Sequence, residues 1–263
     1  MNYSSRDHTF VICAYGESSF LQDCIVSLLN QTVSSRVIIA TSTPNALIRD
    51  LANEYNLSMN VNKEKTGIAG DWNYALACCK TPLATIAHQD DIYCRDYTES
   101  MLSRVNKAAN PLIYFSDYGE LLKEQFVEFS TMLRVKRIML APLKRPSNAS
   151  SAPARRLSLA LGNPICCPSV TYVLDALDQP LFNSGMRSNL DWDTWERLSR
   201  KKGEFIYDSS IRMYHRIHDA SETSACIADN IRFQEDLDML KRFWPKPIAY
   251  FINHIYATAQ RYN

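Results

Sequence analysis

Short apolar runs alternate with amphipathic stretches along the first part of the chain. Runs rich in β-branched and aromatic residues predict strands in TFVICAY, RVIIAT, LSMNVN and PLATIA. Between them, apolar residues recur three or four positions apart, as on one face of a helix, in ESSFLQDCIVSLLNQ, after Thr43, and in TGIAGDWNYALACCK. Thr43 and Pro44 are typical of an N-cap and a first helical turn. The alternation predicts a parallel sheet with helices on both faces.

The second half of the chain has a less regular pattern. It predicts a helix in YTESMLSRVNKA, a fifth strand in PLIYFSDY and a hairpin in GELLKEQFVEF. The basic segment 136–156 is rich in Pro and Ser, which is typical of a mobile surface segment. Further on we expect a strand in GNPICCPSVTYVL, a polar helix in NLDWDTWERLSRKKG that ends at Gly203, and two short strands joined by a turn in GEFIYDSSIRMYHRIHDASET.

The C-terminal residues predict helices with two apolar faces. We expect these faces to pack on the core, and contact with a membrane surface is the alternative interpretation. The residues of the two faces are Phe233, Leu237, Leu240 and Trp244 on one, and Ile248, Phe251, Ile252 and Ile255 on the other.

Composition narrows the class of protein. A chain of 263 residues, 46% of them hydrophobic, can form one large domain with a modest appendage. A net charge of +1 without a basic stripe argues against a nucleic-acid partner. The sequence has no apolar run of the roughly 20 residues that span a bilayer and no signal-peptide pattern at its start. Its eight cysteines form no CxxC pair, so we expect reduced thiols in a cytoplasmic protein.

Two adjacent carboxylates, Asp90 and Asp91, follow the fourth predicted strand in ATIAHQDDIY. Like charges so close together repel, and burial beside an apolar strand increases that cost. A divalent cation with oxygen ligands would neutralise them. Ligands of parallel sheets bind beyond the carboxyl ends of the strands, which is where this pair lies. The alternative is that the pair only caps a helix beginning near Cys94.

Five segments in order resemble a family 2 glycosyltransferase of the GT-A fold, an α/β fold with a mostly parallel central sheet. They are FVICAYGESSFLQDCIVSLLNQT, GIAGDWNYAL, ATIAHQDDIY, LDWDTWERL and YHRIHDASET. The resemblance implies a GT-A domain over 1–224, with 1–118 binding a nucleotide sugar and 119–224 binding the acceptor, before a helical extension at 225–263. It implies transfer of a sugar from a nucleotide-diphosphate donor, a UDP-sugar by default, to a carbohydrate or lipid-linked glycan with inversion.

The resemblance also implies roles at the donor end. Asp91 corresponds to the ligand of a Mn²⁺ or Mg²⁺ cofactor, and His218 completes the metal site unless it is a structural histidine. Asp90 corresponds to a contact with the ribose or a metal-bound water. Arg216 corresponds to a group that pairs with phosphate oxygens. We expected only one of the two aspartates to bind the metal directly, because successive strand residues point to opposite faces.

Further residues correspond to the nucleotide pocket of the family. The chain has ATSTPN where the family usually has aspartates after the second strand, so Thr41 or Ser42 would contact the nucleoside and the base stays open. The remaining residues expected at the donor are Ala14, Tyr15, Glu17, Gly67, Gly70, Asp71 and Asn73.

The acceptor hydroxyl must lose a proton as it attacks, which requires a base. Asp191 aligns with the catalytic base of the family, and capping of a surface helix is the alternative. The usual Glu-Asp pair is Leu190-Asp191 here, so Asp193 is the candidate replacement for the missing acid. Trp192 would form a stacking wall for a sugar, with core packing as its alternative.

Two other functions stay open at this point. AHQDD also resembles the AHPDD zinc motif of sugar deacetylases, in which His88, Asp91 and His218 would bind zinc and Asp90 would act as base. The third interpretation is a nucleotide-sugar-binding module that has lost catalysis.

Overall fold

The computed structural model describes residues 2–64, 67–218 and 231–261, with side chains as far as Ile255. In this part of the chain one nine-stranded sheet has the order β3-β2-β1-β4-β8-β6-β9-β5, with β7 paired to β6. The strands are β1 (His8–Ala14), β2 (Arg36–Thr41), β3 (Ser58–Val61), β4 (Leu83–His88), β5 (Ile92–Tyr93), β6 (Pro111–Leu122), β7 (Gln125–Val127), β8 (Val170–Val173) and β9 (Glu204–Ile217).

The directions of the strands divide the sheet. Strands β1 to β4 are parallel, as predicted, whereas β8 runs antiparallel to both of its neighbours, β4 and β6. The helices are α1 (Leu21–Leu29), α2 (Ala46–Glu54), α3 (Gly67–Cys78), α4 (Tyr97–Val105), α5 (Thr131–Met139), α6 (Ala152–Leu159), α7 (Leu190–Ser199), α8 (Ile231–Leu240) and α9 (Lys246–Arg261).

Alternation along the central strands builds a core on each face of the sheet. In β1, Phe10 and Ile12 pack with Leu21 and Ile25 of α1 on one face, whereas Val11 belongs to the core of the opposite face. Helix α2 begins after Asn45, whose side chain accepts from the Ile48 amide, and not at the predicted Thr43 cap. Both faces are therefore covered, so a ligand can reach the sheet only at its ends.

The prediction of a mobile surface segment at 136–156 is wrong. These residues form the end of α5, two short 3-10 turns and most of α6. Leu140 and Leu143 are buried in the core, and Arg155 is only 1% exposed. Its guanidinium donates to the carbonyl of Lys201 at 2.7 Å. Spaced apolar residues within the basic composition hold the segment on the domain.

Two predictions about the acceptor half also need correction. The residues expected to form two strands make one strand, β9, which pairs with β6 through a bulge: Ser116 lies opposite Asp208, and the next residue, Asp117, lies opposite Ile211. The polar residues of helix α7 are largely buried, among them Asp193, Thr194 and Glu196, and the helix ends at Ser199, before Gly203. Most of its side chains are buried, because it lies between the sheet and the C-terminal helices.

The C-terminal helices pack only in part as predicted. Leu237 and Leu240 of α8 join the main core. On the second predicted face Ile252 packs against the core, but Ile248, Phe251 and Ile255 of α9 are exposed, Phe251 by 68%, so core packing was wrong for these three residues. Within the described residues, no helix has the length and apolar character needed to cross a bilayer.

Candidate active site

The carboxyl ends of β1, β2 and β4 open into a cavity of about 790 Å³. The strand ends and the following loops of the donor half form one wall, and the start of α7 forms the other. The predicted site residues that line it are Ala14, Tyr15, Thr41, Gly67, Asp71, Asp90, Asp191 and His218. The fold therefore brings together eight of the predicted residues, from both halves of the chain.

The donor wall is held by side chains that bond to each other. Asp71 accepts from Ser42 Oγ at 2.8 Å and from Asn62 Nδ2 at 3.0 Å. Gln89 bonds to the backbone of Tyr15 in both directions, at 2.9 and 3.0 Å. These contacts tie the loops after β2 and β3 to α3 and the end of β1 to that of β4, so the pocket is formed before a ligand binds.

Other predicted donor residues lie outside the cavity wall. Glu17, Gly70 and Asn73 do not line it, and the Asn73 amide is engaged by the backbone of Phe182 at 2.8 and 2.9 Å. Asn73 therefore ties α3 to the loop before α7.

The ligand atoms of His88, Asp90 and Asp91 lie within 4.8 Å of one another. His88 is the last residue of β4, and the Asp91 amide donates back to the His88 carbonyl at 3.3 Å, which closes a turn. The two aspartates thus belong to a turn and not to a strand, so strand alternation does not separate them. The expectation that only one of the pair could face the ion was based on the wrong local structure.

Asp91 is fully buried at the base of this cluster. Its Oδ1 accepts from His215 Nδ1 and from the Arg216 amide, both at 2.9 Å. Its Oδ2 has no hydrogen-bond partner among the described residues. A buried carboxylate oxygen without a donor is costly, and a cation would satisfy it. The donor set therefore fits a divalent cation.

Histidines keep the Asp90 carboxylate charged. Burial tends to raise the pKa of Asp90, but the charge of His88 and the hydrogen bond from His218 Nε2, at 2.9 Å, lower it below its ordinary value. Burial tends to lower the pKa of His215, but Asp91 raises it above its ordinary value through charge and hydrogen bonding. The lowered pKa of Asp90 keeps this carboxylate in the ionised form that binds a cation.

Asp191 faces the cavity from the first turn of α7. Its Oδ1 accepts from the Trp192 amide at 2.7 Å, and its Oδ2 accepts from Asn163 Nδ2 at 2.6 Å. Burial raises the pKa of Asp191, and these hydrogen bonds offset the rise only in part. A carboxylate with a raised pKa is a stronger proton acceptor than an exposed aspartate.

Lys136 also lines the cavity. It extends from α5, and its Nζ donates to the Tyr118 hydroxyl at 2.6 Å. Burial lowers its pKa, and its charge acts on both Asp191 and His215. Sequence reasoning missed Lys136 and Asn163 as site residues, because neither belongs to a local motif and both reach the site through tertiary packing. His88, named only for the deacetylase, had a usable signal: it directly precedes the acidic turn at a strand end.

Arg216 is buried next to the acidic turn and bonds to its backbone. It is 3% exposed and does not line the cavity. Its Nε donates to the Asp90 carbonyl at 3.0 Å, and other guanidinium nitrogens pair with Asp23 and Glu124. Its guanidinium lies over the Phe20 ring at 4.3 Å. The resemblance assigned the guanidinium donors of Arg216 to phosphate oxygens, but in this structure they are engaged by these protein groups.

The two residues predicted for the acceptor side are engaged elsewhere. Trp192 is 1% exposed, and its Nε1 donates to the Leu159 carbonyl at 3.1 Å. Trp192 is therefore a core residue and does not form a wall for a sugar. Asp193 pairs with Arg197 at 2.9 Å and Arg242 at 2.7 Å, outside the cavity wall. Asp193 thus links α7 to the C-terminal end of α8.

Solved structures with similar folds are glycosyltransferases. The S. aureus TarS 1-349 structure in complex with UDP-GlcNAc has 12% identity and a TM-score of 0.62, over 94% of this chain and 70% of that one. The mannosyltransferase PcManGT from Pyrobaculum calidifontis, in complex with GDP-Man and Mn²⁺, has 13% identity and a TM-score of 0.64, over 97% of this chain and 70% of that one. At these identities the likeness establishes the fold.

The sequence itself has a family match. No curated protein matches the chain significantly. The family model described as Glycosyl transferase family 2 matches residues 9–157, more than half of the chain, and its match gives no support to the deacetylase alternative. With the fold shared by the solved glycosyltransferases, the chain belongs to glycosyl transferase family 2 and is a glycosyltransferase of the GT-A fold.

Proposed function

We propose that this protein transfers a sugar from a nucleotide-diphosphate donor to a hydroxyl group of a carbohydrate or lipid-linked glycan, by one displacement that inverts the anomeric carbon. One observation carries the proposal: the same cavity is bordered by the acidic turn at the end of β4 and by Asp191 at the start of α7. Glycosyl transfer requires charge stabilisation of the leaving group and a base for the attacking hydroxyl, on opposite sides of the sugar.

The nucleoside would bind against the loops after β1, β2 and β3. Tyr15 is exposed at this wall. Gly67 adopts a positive φ of 72°, and among the described residues no atom lies within 4 Å of the place where a Cβ would be. The open backbone at Gly67 supports close approach of a ligand to the start of α3. A UDP-sugar is the default donor. Ser42, which follows β2 and is hydrogen-bonded to Asp71, does not by itself specify the nucleotide base.

The diphosphate would lie over the acidic turn. When bound there, a Mn²⁺ or Mg²⁺ ion held by Asp90 and Asp91 supplies positive charge to the phosphate oxygens as the glycosidic bond breaks. His218 would hold Asp90 in place through its hydrogen bond, or bind the ion itself. Lys136 adds a cation at the same cavity, close enough for its charge to act on Asp191.

Asp191 is the proposed base. The acceptor oxygen forms a bond to the anomeric carbon while the bond from that carbon to the diphosphate oxygen breaks. The hydroxyl proton moves to the Asp191 carboxylate, and the electron pair of the broken bond leaves with the nucleoside diphosphate. Asn163 and the Trp192 amide hold the carboxylate in place for this step.

A turnover assay with product analysis tests this proposal. Candidate UDP- and GDP-sugars are incubated with glycan and lipid-linked acceptors, and the anomeric configuration of the product is read by ¹H NMR. We expect turnover that EDTA abolishes and Mn²⁺ or Mg²⁺ restores, with inverted configuration. EDTA-resistant turnover would refute the metal dependence, and retained configuration would refute the single displacement.

A further inference from the structure

We propose that His88 is a nitrogen ligand of the cation at the acidic turn, and that this ligand makes the site select a transition-metal ion, such as Mn²⁺ or Co²⁺, over Mg²⁺. The inference rests on the proposed function, since the ion is the one that accompanies the donor. The inference goes beyond the proposed function in two ways: it adds a metal ligand to the two carboxylates, and it specifies the class of metal ion.

The backbone brings His88 to the ion. His88 ends β4, and its Cα is paired with that of Cys13 in β1, so its position is set by the centre of the sheet. The turn that follows puts residues 88 and 91 side by side, and His88 Nδ1 lies 4.0 Å from Asp91 Oδ2. Two ligands that bind one ion at about 2.1 Å lie roughly 3.0–4.2 Å apart, depending on the angle between the bonds. The observed spacing is therefore that of two ligands sharing an ion.

The imidazole ring is held in this orientation by aromatic packing. Trp72 of α3 stacks on His88, with ring centroids 5.3 Å apart and planes 25° apart. Phe182 in turn packs against Trp72 edge to face at 4.9 Å. A ligand that is fixed before the ion arrives loses little conformational entropy on binding. Trp72 and His88 both line the cavity.

An unsatisfied carboxylate oxygen points to a ligand in this cluster. Asp91 Oδ2, the atom that faces His88 Nδ1, is buried and has no hydrogen-bond partner among the described residues. The side chain of Asp91 is fully buried, so its second oxygen has no contact with bulk solvent. Asp91 Oδ1, in contrast, is engaged by His215 and by the Arg216 amide. Hydrogen bonds to Oδ1 thus orient the Asp91 carboxylate, and Oδ2 is left available for an ion. Carboxylates that bind metal ions are commonly held in place in this way.

The three histidines near the turn have different relations to the carboxylates. His215 bonds to Asp91 and His218 to Asp90, each at 2.9 Å, which is the distance of a direct hydrogen bond with no ion between. His88 is separated from Asp91 Oδ2 by 4.0 Å, which leaves room for an ion. The geometry favours His88 as the ligand and the other two as groups that orient the carboxylates.

A nitrogen ligand changes which metal binds best. Mg²⁺ prefers oxygen ligands and near-ideal octahedral geometry, whereas imidazole suits first-row transition metals. Within that series Co²⁺ binds more tightly than Mn²⁺ at a given nitrogen–oxygen site. We therefore expect affinities in the order Co²⁺, Mn²⁺, Mg²⁺, with the gap between Co²⁺ and Mg²⁺ set largely by His88.

The direct test is spectroscopic and uses the intact protein. Mn²⁺ is added with and without UDP or GDP, and electron spin echo envelope modulation detects nitrogen bound to the ion. We expect a ¹⁴N modulation that changes to the ¹⁵N pattern when the protein is labelled with ¹⁵N-histidine. The modulation should disappear in His88→Asn and persist in His218→Asn and in His254→Asn, a control on α9 away from the cavity.

Metal selectivity provides the second readout. In calorimetric titrations, His88→Asp should lower the ratio of Co²⁺ to Mg²⁺ affinity by about tenfold or more, because it restores an all-oxygen set. A wild-type protein that binds Mn²⁺ without nitrogen modulation would overturn the inference and leave the proposed function standing. Modulation that survives in His88→Asn and is lost in His218→Asn would also overturn it. Nitrogen-bound Mn²⁺ that no nucleotide affects would support His88 as ligand and count against the proposed function.

Discussion

Replacing Asp191 with asparagine removes the proposed base and keeps the shape of the side chain. Asparagine retains an oxygen that can accept from the Trp192 amide, as Asp191 Oδ1 does at 2.7 Å. Its amide nitrogen would face Asn163 Nδ2, which now donates to Asp191 Oδ2 at 2.6 Å. Rotation of the Asn163 amide would restore this bond but give up the one that its Oδ1 accepts from the Ile165 amide at 3.3 Å, so we expect a stability loss of about 1–3 kcal/mol.

The expected effect on chemistry is much larger. A positioned general base contributes about a hundredfold to ten-thousandfold in rate. That factor corresponds to roughly 3–5 kcal/mol in activation free energy. Donor binding should be unchanged, since the acidic turn is on the other wall of the cavity. The substitution therefore separates chemistry from binding.

Release of nucleoside diphosphate from the donor measures turnover, and calorimetry with donor and Mn²⁺ measures binding. Asp193→Asn is the matched control, two residues along the same helix. It breaks a buried pairing with Arg197 and Arg242 and should cost about 1–3 kcal/mol of stability, with turnover retained. Asp191→Asn with full turnover, or Asp193→Asn with the larger kinetic loss, would refute the assignment of the base.

Three further predictions follow from the same contacts. Burial raises the pKa of Asp191, and the hydrogen bond from Asn163 lowers it. Asn163→Leu removes that bond, so the acidic limb of the pH profile of kcat/KM should move to higher pH. An acidic limb at the same pH as in the wild type would contradict this. Trp192→Ala should cost about 3–5 kcal/mol in urea unfolding, and a loss below 1 kcal/mol would argue against its core role. Burial lowers the pKa of His8 to about 3, so the unfolded chain gains a proton first as pH falls, and stability should drop by up to about 1.4 kcal/mol per pH unit below roughly pH 6.5. His8→Gln should flatten that slope, and an unchanged slope would assign it to other groups.

The sequence predicted the donor half well because its elements follow local rules. Strands β1, β2 and β4 are almost wholly buried and appear as continuous apolar runs, whereas β3 lies at the edge of the sheet and is only half-buried. Asp90 was expected at the cavity because the carboxyl ends of parallel strands meet at one edge. Neither inference needed knowledge of distant contacts.

The acceptor half was harder because tertiary contacts override local composition there. Arg155 looks like part of a solvated basic loop, yet its guanidinium donates to the backbone carbonyls of Lys201 and Gly203, which are distant in sequence. The bulge after Asp208 lets one strand continue where turn-forming residues suggested an interruption. Lys136 and Asn163 reach Asp191 and its surroundings from separate elements. Their spacing in the sequence does not predict that they lie close together in the fold.

Nucleotide binding with and without metal is the most direct test of the central claim. Thermal unfolding is measured with UDP, GDP, dTDP or CDP, each with Mn²⁺, Mg²⁺, Zn²⁺ or EDTA, because a ligand that binds the folded state raises the melting temperature. We predict stabilisation by one nucleoside diphosphate only when Mn²⁺ or Mg²⁺ is present, and loss of that effect in Asp90→Asn. Stabilisation by Zn²⁺ alone, with no effect of any nucleotide, would contradict the account.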